Sequence, residues 1–182
     1  MNIGVPDHTA PAARFTAPLE MLSVCHYGIE RRCMSLRQLV SRLGSCGAGA
    51  TARTAAAELM GYFDTSAKQL HADEEDLFPA LIESMPGSDA VCLNALTDVL
   101  TADHREIELH WRRVRNALER VVAGDGVSLA AVDVEAFVGS YVRHIEREER
   151  DLLPMAARLL SDDALEHIGR TMRERRGIDP IS

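Results

Sequence analysis

Two stretches of the chain carry the same reactive cluster. One reads HADEEDLFP at 71–79, the other HIEREERDLLP at 144–154. Each opens on a histidine, continues with paired glutamates, and closes on Asp-Leu, an apolar residue and proline. Seven histidines are present, and four have glutamate four residues later: His26/Glu30, His71/Glu75, His104/Glu108 and His144/Glu148. Glutamate fills only 15 of 182 positions, so four such pairs among seven histidines far exceed chance. On a helix, residues i and i+4 share a face, one turn apart. In each case the histidine lies within the apolar stripe. A folded chain would therefore bring several imidazoles and carboxylates together in its interior. Uncompensated charge there would cost many kcal/mol. A bound metal ion resolves the conflict, because it takes neutral imidazoles and carboxylates as ligands and supplies the opposing charge.

The elements that must position these residues read as helices. Pro18 suits a first turn. From Leu19 apolar residues recur at threes and fours through Leu22, His26, Ile29, Cys33, Leu36, Val40 and Leu43, until GSCGAGA at 44–50 ends the run. A second helical stretch covers about 51–84, with a break near Asp64-Thr65, which can cap a new turn. PGS at 86–88 is a turn. A third helix spans about 89–123, with Val91, Leu96, Leu100, His104, Ile107, Trp111, Val114 and Leu118 as its stripe. GDG at 124–126 breaks it. Ser128 suits the N-cap of a fourth helix over about 129–160, and SDD at 161–163 caps a shorter fifth ending near Gly177. Long helices joined by short turns pack antiparallel. The expectation is an all-α protein: an up-down-up-down four-helix bundle with an extra C-terminal helix. It divides into a tail (1–17), the bundle (18–160), and the last helix with its tail (161–182).

Composition agrees. Hydrophobic residues make up 46% but aromatics only 4%, a mix that favours helices over sheet. The net charge of −8 argues against a nucleic-acid partner. No run of eighteen apolar residues exists, so no membrane span is expected. The N-terminal residues have no secretory pattern, and Cys25, Cys33, Cys46 and Cys92 form no C-x-x-C pair. Reduced thiols and a cytoplasmic location are the expectation.

Over about residues 18–176 the pattern resembles the hemerythrin-like HHE cation-binding family, in its bacterial single-domain form. The matching motif is a histidine on the first helix (His26), His-x-x-x-Glu on the second (His71, Glu75), a histidine on the third (His104), and His-x-x-x-Glu on the fourth (His144, Glu148). The trailing DLFP and DLLP and the ADHREIELHW of the third helix carry the same likeness. The resemblance implies a non-haem site of two iron ions with an oxo or hydroxo bridge. Its histidines would be terminal ligands and its two motif glutamates would bridge. Manganese or zinc also suits such donors. A small diatomic ligand, dioxygen or nitric oxide, would be the partner, and the chain would bind it, sense it or store iron. The alternative is an enzyme acting on peroxide or nitric oxide, or assisting iron–sulfur cluster repair.

Two departures bear on that reading. Oxygen-carrying members place a second histidine on the third helix, where this chain has Glu108. They also place an aspartate at i+5 of the fourth-helix motif, where this chain has Glu148 at i+4. The site is thus richer in carboxylate or more open, which leaves room for redox or nitric-oxide chemistry. Second, His71 to Pro79 is eight residues but His144 to Pro154 is ten. Aligning the Glu-Glu pairs makes Glu74 the partner of Glu148, while His-x-x-x-Glu selects Glu75. Both i+3 and i+4 share the histidine's face, and the spacing favours Glu75. Glu108, one turn after His104, is a further candidate metal ligand beside Glu74, although Glu108 and Glu30 read better as exposed helix charges, Glu108 with Arg112. Cys33, Tyr141 and Trp111 read as core. The arginines of RTMRERRG at 170–177 read as cations complementing a helix C-terminus.

Overall fold

The computed structural model describes residues 17–85, 90–125 and 129–178. Helices dominate and no strand occurs among the described residues. They are α1 (Pro18–Cys46), α2 (Ala50–Asp64), α3 (Ser66–Ser84), α4 (Ala90–Ala123), α5 (Ala131–Arg147), a π-helical segment (Glu148–Leu152), α6 (Leu153–Leu159) and α7 (Asp162–Arg175). Pairs across the interior fix the directions. Arg53 donates to the Val122 carbonyl, Trp111 to Asp64, and His104 meets Glu75, so α2 and α3 run antiparallel to α4. Arg143 on Glu106 and Arg147 on Asp103 set α5 antiparallel to α4. Arg37 on Glu135 and His26 on Glu149 set α1 antiparallel to the α5 side. The result is an up-down-up-down bundle with α7 added outside it.

The stripes form as the apolar spacing predicts. On α1, Leu22, His26, Ile29, Cys33 and Leu36 are buried. On α4 the buried series is Leu93, Thr97, Leu100, His104, Ile107, Trp111, Val114 and Leu118. Val91 is exposed, not part of the stripe, because two residues before Leu93 is 200° around a helix turning 100° per residue. The helix break near 64 exists, with Thr65 at φ −122° and ψ −76°. Asp64 does not cap the new turn. Its carboxylate instead accepts from Trp111 at 2.9 Å and from Arg115 at 2.8 Å, tying the break to α4. Ser161 caps α7 as expected, accepting from the Ala164 amide. Ser128, Gly126, the turn at 86–88 and residues 1–16 lie outside the described residues.

α7 is fastened to the bundle by charge as well as by Ile168 and Met172. Arg175 and Arg176 both close on the fully buried Asp73 of α3, and Arg175 also reaches Asp76 at 2.6 Å. The Arg175 carbonyl accepts from Gln69. These arginines thus do more than complement a helix dipole. They neutralise a carboxylate that has no water, next door to Glu74. Breaking a buried pair from one side costs about 3–5 kcal/mol. The double variant R175A/R176A should lose about that much in urea unfolding, and a loss under about 1 kcal/mol would show that the clamp does not hold α7.

Candidate metal centre

Four elements deliver the cluster. His26 comes from α1, His71 and Glu74 from α3, His104 from α4, His144 from the end of α5, and Glu148 from the first residue of the π segment. Each rides the apolar stripe of its helix, which is why packing the stripes brings them together. Glu74 sits at the meeting point and is 0% exposed. Its Oε2 lies 3.0 Å from His104 Nε2 and 3.5 Å from His144 Nε2, and its Oε1 lies 3.5 Å from His26 Nε2. Glu148 Oε2 lies 3.0 Å from His26 Nε2 and 3.5 Å from His144 Nε2. The donor atoms fall into two groups. One is His71, Glu74, His104 and His144; the other is His26, Glu74 and Glu148.

Two of the outward nitrogens hydrogen-bond a carboxylate, and a third lies near one. His26 Nδ1 meets Glu149 at 2.6 Å, His104 Nδ1 meets Glu75 at 3.0 Å, and His144 Nδ1 lies 3.6 Å from Asp103, which Arg147 holds. A carboxylate behind a ring N–H fixes the tautomer and turns the other nitrogen inward as a lone-pair donor. The interior of the cluster, by contrast, is left incompletely paired. His26 Nε2, His71 Nε2, both His144 nitrogens, Glu74 Oε1 and both Glu148 oxygens are buried without an aligned hydrogen bond. Buried polar atoms are rarely left so, and a set of inward-facing N and O donors fits a cation.

Electrostatics shows how the protein carries this cluster without one. Burial pushes the His26 imidazole down, but the close carboxylates of Glu148 and Glu74 outweigh it and hold it up at about 11. His144, likewise depressed by burial, is raised to about 10 by Asp103, Glu74 and Glu148. Burial drives His71 down to about 3, so it stays neutral. Burial would raise Glu74, but His104, His144 and His26 hold it well below the usual carboxylate range. Glu148 goes up, through burial and then the charge of Glu74.

Set against the sequence reading, His26, His71, His104, His144 and Glu148 come together. The pair Glu74/Glu75 sorts opposite to the spacing argument. Glu74 is interior, whereas the Glu75 side chain is 53% exposed and backs His104 from outside. Both lie on the His71 face of α3, 100° apart, and the rotation of α3 in the bundle turns Glu74 toward His26, His104 and His144, so His71/Glu74 at i+3 faces His144/Glu148 at i+4. Glu108 joins neither group; it is exposed and paired with Arg112 at 2.8 Å, and Glu30 is exposed. Cys33 is packed, its thiol pushed up to about 12 by burial. Trp111 and Tyr141 are core. Sequence reasoning missed Asp103 and Glu149 as backing carboxylates. The second glutamate of the EE pair was the one available signal for Glu149.

Residues 17–156 match the family described as Hemerythrin HHE cation binding domain. The chain is also 29% identical over 167 residues to a Haemophilus influenzae protein described as an uncharacterized protein, covering 91% of this chain and 94% of that relative. The match to the family stops short of α7.

Raised imidazoles set a pH signature. In the metal-free protein, His26 and His144 contribute stability that is complete below their ordinary value of 6.5 and is lost as the pH rises toward 10 and 11. A cation must displace the same protons. Metal uptake at pH 7 should therefore release protons, seen as a buffer-dependent heat in calorimetry. Uptake with no proton release would show that the imidazoles are not the ligands.

Proposed function

We propose, for a chain that belongs to the hemerythrin HHE cation-binding domain family, that the cluster holds two metal ions, iron by preference, and binds dioxygen or nitric oxide as a carrier, sensor or iron store. The observation that carries this reading is that Glu74 belongs to both donor groups. One carboxylate with an oxygen toward each group is the arrangement that lets two cations share a ligand. Imidazole with carboxylate suits iron, manganese or zinc. His71, Glu74, His104 and His144 would hold one ion, and His26, Glu74 and Glu148 the other. Two irons, when bound, supply reversible electron transfer and coordination positions for a diatomic ligand.

The chain's own residues do the rest. Glu149 and Glu75 hold the His26 and His104 rings turned inward, and Asp103 puts a negative charge beside His144. The rings of Tyr141 and Phe63, 5.9 Å apart, wall the His71 side with apolar surface, and Tyr141 lies 5.7 Å from His71. That apolar surface lowers the local dielectric and strengthens the interactions beside it. The second donor group is the poorer, with three residues against four, so it leaves more room for an exogenous ligand.

Anaerobically purified protein should carry about two irons per chain and gain near-ultraviolet bands on exposure to air. Glu74→Gln should lose both ions. Glu75→Gln, which only backs His104, should keep the stoichiometry and weaken binding by about 10- to 100-fold. Full retention by Glu74→Gln would end the shared-ligand reading. A single tightly held zinc in the native protein would end the oxygen reading.

A further inference from the structure

A cleft of about 950 Å³ opens between α3 and α4, and its floor is the edge of the metal cluster formed by His71 and His104. This is far larger than a diatomic ligand requires, since one water occupies about 30 Å³ of the liquid. It falls within the range of about 300–1,000 Å³ typical of small-molecule sites. The walls are Phe63, Phe78, Pro79, Ile82, Ile107 and Trp111. Trp111 turns its one donor away, onto Asp64. The charged lining residues are exposed and of both signs: Lys68 and Arg105 against Glu75, Glu83 and Glu108. Two of those carboxylates are already engaged, Glu75 by His104 and Glu108 by Arg112. The cleft therefore offers an apolar interior and no rim of a single sign to select a charged ligand.

We propose that this cleft binds a small neutral organic molecule with an aromatic or aliphatic body, seated against the His71–His104 edge of the cluster. The position of the ligand relative to a metal rests on the function proposed above; the cleft itself does not. Such a molecule would lie beside the His71 group of donors, while the opposite side, around His26, is closed by α7 through Arg176, which spans Asp73 and Cys25. The centre would then hold a diatomic ligand and an organic one as neighbours.

The probe is the neutral fluorophore N-phenyl-1-naphthylamine, titrated into the purified full chain loaded with cobalt(II). Saturable fluorescence gain is expected, with a change in the visible cobalt bands as the probe fills the cleft. Ile82→Trp and Thr101→Trp each place a ring in the cleft without touching the cluster, and each should weaken probe binding by about tenfold or more, roughly the effect of 1.4 kcal/mol. Circular dichroism and cobalt uptake verify that the variants are folded. No saturable binding to the native chain, or binding unchanged in both folded variants, overturns the proposal. Saturable binding that leaves the cobalt bands unmoved overturns its placement at the His71–His104 edge. Probe binding to a chain that takes up no cobalt supports the cleft and overturns the metal reading instead.

Discussion

A fully buried carboxylate is the constraint around which this fold is arranged. Glu74 has no water, so the price of its charge must be met by groups from other helices. His26, His104 and His144 meet it from α1, α4 and α5. Each can do so only if its helix has a particular rotation and height. A slide of one residue along α4 would turn His104 by 100° and leave Glu74 without that partner. The bundle's register is thus set by polar contacts inside a hydrophobic core, which by itself tolerates many registers. The apolar stripes supply the driving force, and the cluster selects one packing from those the stripes allow.

The two ends of the cluster differ in what covers them. Around His26 the cover is polar and firm. Arg176 sits between Asp73, the residue before Glu74, and Cys25, the residue before His26. Any loosening of α7 would therefore reach the backbone of two donors at once. Around His71 and His104 the cover is a cleft with apolar walls. The polar cover and the cleft therefore lie on opposite sides of the cluster.

Most of this was legible in the residues, for a definite reason. Helical stripes repeat every three or four residues, so the main helices and the break at 64–65 can be read directly, and a histidine inside a stripe is an interior histidine. What could not be read is phase. Glu74 and Glu75 lie on the same side of α3 as His71, and a difference of 100° decides which of them is buried. That depends on how α3 is rotated against α1, α4 and α5, to which no local pattern points. Asp103 illustrates another limit. It stands beside His104 in sequence but serves His144 across the helix interface, a pairing that only the packing of α4 on α5 creates.

The π segment begins at the second of the two Glu-Glu pairs. A π turn advances the chain by an extra residue and redirects its side chains, at some loss of hydrogen-bond quality, and such bulges concentrate at functional sites. Here Glu148 points inward to His26 Nε2 while Glu149 reaches the outer nitrogen of the same ring. One imidazole is thereby gripped at both nitrogens by consecutive residues. Pro154 follows just after, as the second residue of α6. Proline has no N–H to give, so it suits a position where the regular ladder has just been disturbed. Pro79 stands mid-helix in α3, where the same missing donor frees the Glu75 carbonyl. The two prolines that look equivalent in the sequence therefore stand in different settings: one follows the π segment that begins at Glu148, the other lies inside the helix that walls the cleft.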